Sequence, residues 1–257
     1  MNDAAVFKRE PACPDVPRAL QGLWRRTLLS SPAGAASPGQ YDTTTQVFWL
    51  QTPLWHGDIR VPAGRPDFGG VQALADCSDA QLRWLLSQQG FAGLTTLERD
   101  ICRWHRRIDH AASLDQDVGR LAFDADGLDE WGLEADYYER WVPVDGADGP
   151  AAALGNAATR SVFLRSGRWV MLLRARTLDP RTTRAVRAAA AAGEPVERAW
   201  LEAAADFEIS LAEWGASGWR VALSTLPWRE GQTLCADPQH CAEPGALPLP
   251  SDRTLTE

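Results

Sequence analysis

The sequence predicts an all-β protein with short helical inserts, built as a sandwich or a barrel rather than as a parallel sheet. Many short segments rich in Thr, Val and aromatic residues alternate apolar and polar positions, and turn residues separate them at regular spacing. Helical periodicity is confined to two stretches. The sequence contains no glycine-rich phosphate loop after a strand and neither a G-x-S-x-G nor an H-E-x-x-H motif.

The first half combines predicted strands with one helical insert. Residues 78–89 place Leu82, Leu85 and Leu86 on one helical face, and Ser78 with Gln81 resembles a capping box before them. Strands and hairpins are predicted over residues 20–29, 43–53, 55–62, 91–109, 117–132 and 136–144.

The second half repeats this style after residues 145–158, which lack bulky side chains and are the best candidate linker. A hairpin is predicted over 159–177, and two short helices over 180–205 because Gly193 and Pro195 interrupt that stretch. Residues 207–231 predict two or three further strands. The predicted organisation is a flexible leader (1–17), an N-terminal β domain (18–146), a C-terminal β domain (147–234, with the helical insert 180–205) and a Pro-rich tail (235–257).

Charge and composition exclude several classes of partner. The net charge of −8 opposes nucleic acid as a main partner, because phosphate binding needs a cationic surface. No secretory h-region and no run of about 18 apolar residues is present, so we expect no membrane association. The five scattered cysteines are typical of reduced thiols in a cytoplasmic protein. Cys235, His240 and Cys241 lack a second ligand pair, so neither a metal nor another cofactor is expected.

The aromatic composition allows two interpretations. The chain has 12 Trp against 3 Tyr and 7 Phe. Each Trp buries a large area and needs a partner for its indole N–H. The excess therefore indicates either wide aromatic cores or a lined cavity.

A polar face on one predicted strand gives the main functional hypothesis. Residues His56, Asp58 and Arg60 alternate with Ile59 and Val61. If the two apolar residues pack under a helix or on the neighbouring domain, the polar trio faces the barrel lumen, as in a ligand-binding barrel with aromatic walls. The candidate ligand-binding residues are Trp49, Gln51, His56, Asp58, Arg60, Trp104, Glu139 and Trp141.

An enzyme is the first alternative. His105 and Asp109 would then be a base and its orienting carboxylate, and the catalytic candidates are His105, Asp58 and Arg60. The same residues also have structural interpretations. Asp58 and Arg60 would form a salt bridge closing the barrel end, and His105 would be a hydrogen-bonded barrel residue.

Other charged residues are expected to have structural roles. Arg65 and Asp67 are expected to form an ion pair that fixes a loop. The arginines of the second half are expected to be exposed charges that protect strand edges. These are Arg165, Arg168, Arg174 and Arg176.

A family resemblance extends the fold prediction. Gly22-Leu23-Trp24 is similar to the G-x-W signature that opens lipocalin and related calycin barrels. The stretches VFWLQTPLWHGDIRVPAGRPDF, FAGLTTLERDICRWHRRIDH, DVGRLAF, DYYERWVPV and STLPWREG together resemble the family of the yeast Hrr-interacting protein, over most of residues 20–231. The resemblance implies two consecutive calycin/lipocalin-like antiparallel β-barrels. It implies no established catalytic residues.

These observations favour a binding protein. We expect a small, partly apolar ligand, with an anionic or carbonyl group, in the lumen of the N-terminal barrel. A cofactor-independent isomerase, lyase or hydrolase in the same lumen is one alternative, and a protein-interaction scaffold is the other. The chain is expected to be a monomer or a homodimer.

Overall fold

The first β-sheet closes into a barrel. The computed structural model describes residues 13–33, 39–235 and 247–248, and its first sheet has nine antiparallel strands. They are β1 (Gly22–Ser31), β2 (Gln40–Asp42), β3 (Gln46–Gln51), β4 (Trp55–Val61), β5 (Gln89–Glu98), β6 (Ile101–Asp109), β7 (Asp117–Phe123), β8 (Leu128–Gly132) and β9 (Tyr138–Pro143).

Strand β1 is the seam of this barrel. Trp24 pairs with Trp49 of β3 on one side and with Pro143 of β9 on the other, so eight strands form a closed ring. Strand β2 extends the far end of β1 outside the ring, with Ser30 opposite Tyr41. The prediction of a mainly antiparallel β protein with a barrel is confirmed, and successive side chains point alternately into the lumen and outward.

The second sheet is open. It has seven antiparallel strands in the order β15-β14-β13-β12-β11-β10-β16. They are β10 (Ala151–Asn156), β11 (Ser161–Ser166), β12 (Trp169–Arg174), β13 (Glu208–Gly215), β14 (Gly218–Ser224), β15 (Thr233–Cys235) and β16 (Leu247–Pro248). Within the described ranges, the edge strands β15 and β16 do not pair with each other, so a second closed barrel is not confirmed.

Two segments expected to be loose are ordered. The candidate linker 145–158 contains strand β10, which pairs along its length with β11. Because its side chains are small, backbone hydrogen bonds to β11, more than side-chain packing, hold this strand in place. Val16, near the end of the predicted leader, is buried and its N–H donates to the carbonyl of Pro53. The preceding residues 1–12 of that leader, and most of the predicted tail, lie outside the described residues.

Three short helices pack together beside the two sheets. Helix α1 is Asp79–Ser87, α2 is Pro180–Ala191 and α3 is Arg198–Ala205, which confirms both helical predictions. Ser78 and Gln81 form the predicted capping box at the start of α1, each side chain bonding the other's backbone N–H. Leu82, Leu85 and Leu86 face α2 and α3 in a shared apolar cluster.

The outer face of β4 carries the contact between the two sheets. Ile59 and Val61 lie in one apolar cluster with Leu164 and Ile209 of the second sheet. At Gly57 the sheets come so close that an added Cβ would lie 2.7 Å from the Met171 sulfur. Because side chains alternate along a strand, packing of this face turns the other face of β4 into the barrel.

Candidate functional site

Tryptophans fill the middle of the barrel instead of leaving it hollow. The rings of Trp104 and Trp141 meet that of Trp49 edge-on, with centroids 5.4 and 5.7 Å away, and Trp24 stacks on it at 6.4 Å. The void left among these rings and the neighbouring polar groups is about 10 Å³. This volume is at the lower limit for one water molecule, so the ring cluster is a packed core.

A hydrogen-bonded layer containing His56 lies beneath these rings. The Thr95 hydroxyl donates to Gln51 Oε1 at 2.8 Å, and His56 Nδ1 lies 3.0 Å from the same hydroxyl. Since Thr95 has a single proton, Nδ1 must carry the imidazole proton and donate it to Thr95. Burial, reinforced by Arg106 and His105, holds the pKa of His56 well below its usual value, so the ring is neutral. This layer is structural and does not border the cavity described below.

Above the rings, five charged side chains form a network in the lumen. Arg60 donates to both oxygens of Asp58, at 2.8 and 3.3 Å, and lies 3.6 Å from Glu139. Arg26 donates to Glu139 at 2.6 Å and to Asp42 at 2.7 Å. Burial raises the pKa of Asp58, and the attraction of Arg60 opposes this increase. Although burial alone lowers it, the pKa of Arg60 is raised well above its usual value by Asp58 and Glu139.

A third guanidinium completes the ring of arginines. Arg106 donates to Asp117 at 2.8 Å and to Asp109 at 3.3 Å, and its carbon lies 4.0 Å from the centre of the Phe91 ring. The carbon of Arg60 lies 5.5 Å from the same ring centre. Phe91 therefore holds both guanidiniums in place from below through cation–π contacts.

One buried carboxyl group in the lumen has a strongly raised pKa. The Tyr137 hydroxyl donates to Glu130 Oε1 at 2.7 Å and lies 3.4 Å from Asp117 Oδ1, and the Trp141 indole donates to Glu130 Oε2 at 2.9 Å. Burial, reinforced by Glu139 and Asp117, raises the pKa of Glu130 well above its usual value, and the hydrogen bond from Tyr137 opposes this increase. Tyr137 therefore links Glu130 to Asp117 at the barrel mouth.

The open end of the barrel holds a cavity of about 690 Å³ above this network. It lies between the ends of the strands and the loops that join them. Its polar lining residues include Arg26, Gln40, Asp42, Thr45, Arg60, Ser87, Gln89, Arg106, Asp117, Asp136, Tyr137 and Glu139. The volume lies within the range of small-molecule sites in proteins.

The charges of this cavity, which we call the barrel-mouth cavity, are nearly balanced. Its three arginines face four carboxylates, those of Asp42, Asp117, Asp136 and Glu139. Each arginine already donates to at least one carboxylate, so the guanidiniums are not poised for an additional anion. The lining offers donors and acceptors side by side, which suits an uncharged or zwitterionic polar molecule.

The predicted ligand-binding residues occupy three depths of the barrel. Arg60 and Glu139 border the barrel-mouth cavity, and Asp58 supports Arg60 from below. The other predicted residues lie deeper, in the ring cluster or the layer beneath it. These are Trp49, Gln51, His56, Trp104 and Trp141.

Three residues of the lumen and its mouth were missed, although the alternation contained a signal for two of them. Arg26 follows Trp24 by two positions on β1, and Glu130 follows Leu128 by two positions on β8. Since Trp24 and Leu128 face the lumen, the period of two also places Arg26 and Glu130 there. Tyr137 lies just before β9 and had no such signal.

Two predicted charge roles differ in the structure. His105 is exposed on the outer face of β6 and outside the barrel-mouth cavity, where its Nε2 lies 2.9 Å from the Thr96 hydroxyl, as expected for a hydrogen-bonded barrel residue and not for a catalytic base in the lumen. Arg65 pairs with both oxygens of Glu230, at 2.7 and 3.0 Å, rather than with Asp67. Asp67 instead accepts from the N–H of Gly69. Proximity in sequence did not predict the partner of Arg65, because the loop that carries Arg65 folds back onto the second half of the chain.

Within residues 13–33, 39–235 and 247–248, no group of three His, Cys, Asp or Glu side chains has metal-binding geometry. The side chains of Cys235, His240 and Cys241 lie outside the described part. None of the described helices is both long and apolar enough to cross a membrane. Comparison with models of known families, with curated proteins and with solved structures found no match to this chain.

Proposed function

We propose that this protein binds a small polar molecule in the barrel-mouth cavity. The observation that carries the proposal is a cavity of about 690 Å³ whose arginines are already matched by carboxylates, above a lumen filled by tryptophan. A partly apolar ligand would sit with its apolar part at the rim, because the deep lumen has no room for it. A carbonyl or hydroxyl group suits the lining better than a full negative charge.

Two features of the first sheet support a relationship to calycin-like barrels. Gly22-Leu23-Trp24 opens the first strand of a closed eight-stranded antiparallel barrel, and Trp24 points into its lumen. We therefore keep the kinship with the family of the yeast Hrr-interacting protein as a proposal. Fold kinship would not identify the ligand, which depends on the cavity alone.

Direct binding with a matched pair of variants tests the proposal. Native mass spectrometry of the purified protein, followed by calorimetric titration with neutral sugars, amino acids and their anionic analogues, would identify a ligand. Ala135 lies exposed at the cavity edge and Ala122 lies exposed on β7 outside it. We expect Ala135→Trp to weaken binding at least about tenfold by filling the cavity. The control Ala122→Trp should bind like the wild type.

Two outcomes would count against this function. If no compound co-purifies or binds, the cavity has no small-molecule role. If anionic analogues bind more tightly than their neutral counterparts, the argument from balanced charge is wrong even though the site is real.

Acid catalysis is a second candidate function, favoured by Glu130. A carboxyl group whose pKa is raised well above its usual value, linked through Tyr137 to the cavity, is suited to protonate a bound substrate. Arg60, held in place by Asp58, would then stabilise a developing negative charge on that substrate. Carbon-13 NMR titration of labelled glutamate should show one carboxyl group with a pKa well above the ordinary range, and that signal should be missing in Glu130→Gln. A Glu130 carboxyl that titrates in the ordinary range would exclude this role.

A further inference from the structure

A second cavity lies between the barrel and the second half, and its lining is more apolar. It measures about 300 Å³ and is bordered by the end of β6, the loop that follows it and the connection from β12 into α2. Ile108, Leu114, Leu178 and Phe207 contribute apolar surface to it. Leu114 is 79% exposed and forms part of the rim. We call it the junction cavity.

In the junction cavity arginines outnumber carboxylates, whereas at the barrel mouth the two kinds of charge are nearly balanced. Five arginines line it against two carboxylates, Asp109 and Asp179, in a chain whose net charge is −8. Arg160, Arg176 and Arg184 donate to backbone carbonyls, and in the described part of the chain none of the three forms a salt bridge. Among the described residues, the charge of these three arginines therefore exceeds that of the two carboxylates of the cavity.

Arg176 is the least compensated of these groups. It was expected to be an exposed edge charge, but it is only 7% exposed because α2 and the loop after β6 cover it. One terminal nitrogen donates to the His110 carbonyl at 2.8 Å, the other lies 3.5 Å from the Asp109 carbonyl, and Nε has no partner among the described residues. Its carbon lies 4.6 Å from the centre of the Phe207 ring.

A buried cation without a counterion is costly to the fold. Burial, reinforced by Arg187, lowers the pKa of Arg176 to about 9, which still leaves it charged at neutral pH. A bound anion would supply the counterion for Arg176.

We propose that the junction cavity binds a small apolar monocarboxylate. Its carboxylate would lie against Arg176, and its apolar chain would cover Phe207 and Leu178 towards the rim at Leu114. The cavity volume suits a ligand of octanoate size, and the excess of arginines would attract the anion from solution. Among the described residues this site shares only Arg106 with the lining of the barrel-mouth cavity, and it does not depend on the function proposed there.

Calorimetric titration with octanoate, and with 1-octanol as its uncharged counterpart, tests the proposal. We expect the wild type to bind octanoate at least about tenfold more tightly than 1-octanol, because only the carboxylate pairs with Arg176. Arg176→Met keeps the length of the side chain but removes its charge, and it should weaken octanoate binding at least about tenfold. Arg103→Gln removes an exposed arginine outside this cavity and should leave binding unchanged.

A rim variant keeps the test decisive if Arg176→Met does not fold. Leu114→Asp changes an exposed side chain, so it should fold, and its carboxylate should weaken octanoate binding several-fold while affecting 1-octanol less. The proposal is overturned if octanoate does not bind the wild type, or if 1-octanol binds equally well. It is also overturned if folded Arg176→Met or Leu114→Asp binds octanoate like the wild type.

Discussion

The two β-sheets of this protein bury opposite kinds of side chain. The barrel encloses paired charged groups: Arg26 pairs with Glu139 of the neighbouring strand β9, and Asp58 pairs with Arg60 of its own strand. The second sheet presents an apolar face to the barrel. That face includes Val162, Leu164, Met171, Leu173, Ile209 and Leu211.

Closure explains this difference. In a closed barrel, side chains from opposite strands converge, so a buried charge finds partners from several directions. An open sheet has one face to bury against another surface. Apolar side chains cover that face without the free-energy cost of burying unpaired polar groups. A site made of convergent polar groups therefore belongs in the first sheet, while the second sheet supports it from outside.

The largest expected effect comes from breaking the charge network of the barrel. Arg26→Met removes the partner that donates to Glu139 at 2.6 Å, and Glu139 is only 2% exposed. We expect a loss of about 3–5 kcal/mol in the free energy of unfolding, because a buried charge loses its main partner. Urea denaturation measures it. The control Arg25→Met changes the exposed neighbour on the same strand and should cost less than about 0.5 kcal/mol. Equal losses in both variants would show that the network adds nothing specific.

Truncation of the apolar interface should have the next largest effect. Leu164 is fully buried, and its Cδ1 lies where a Cβ on Gly57 would be only 3.1 Å away. Leu164→Ala should lower the free energy of unfolding by about 2–5 kcal/mol through lost burial and a residual cavity. Leu172, on the neighbouring strand β12, is half-buried on the other side of the sheet from Leu164. Leu172→Ala is therefore the matched control, and it should lower the free energy of unfolding less. A loss for Leu164→Ala no larger than for Leu172→Ala would mean that the sheets adjust to each other freely.

The pH dependence of the free energy of unfolding tests the raised pKa of the buried Glu130 carboxyl group. Because burial raises the pKa of Glu130 in the folded state, the folded protein holds this proton at pH values where the unfolded chain has lost it. Wild-type stability should therefore fall as pH rises above the unfolded pKa of about 4.3, until the folded pKa is passed. Glu130→Gln mimics the neutral acid and lacks this loss. Its stability relative to wild type should grow with pH, by at most about 1.4 kcal/mol per pH unit.

A surface carboxylate supplies the control for this pH experiment. Glu134 is exposed, and Glu134→Gln should give a stability profile parallel to that of the wild type between pH 5 and pH 8. Urea midpoints across this range measure all three proteins. If Glu130→Gln also runs parallel to the wild type, the pKa of Glu130 is not raised in the folded state.

The sequence predicts which face of a strand points inward much better than it predicts partners. The alternation of Asp58 and Arg60 with Ile59 and Val61 is a local property of β4, and it places both faces once one is buried. The pairing of Arg26 with Glu139 joins residues 113 positions apart and depends on barrel closure, which no local pattern encodes.

Cavities were predicted least well. Whether tryptophans line a space or fill it depends on how Trp49, Trp104 and Trp141 meet from three different strands. Arg176 is likewise buried by α2 and by the loop after β6, and the latter is distant from it in sequence. Composition indicated that aromatic rings would be important, while their packing leaves the larger cavities at the barrel mouth and the junction.

The smallest expected effect comes from an exposed ion pair of the second sheet. Arg168, in the turn just before β12, pairs with Glu213 of β13, but their side chains remain 52% and 38% exposed. Water and salt screen such a pair, so Glu213→Gln should cost less than about 1 kcal/mol, and added salt should reduce even that loss. A double-mutant cycle with Arg168→Gln measures the coupling between the two side chains. A coupling as large as the loss in Arg26→Met would mean that exposure does not separate the two sheets, and burial in the closed lumen would no longer explain why the barrel network is strong.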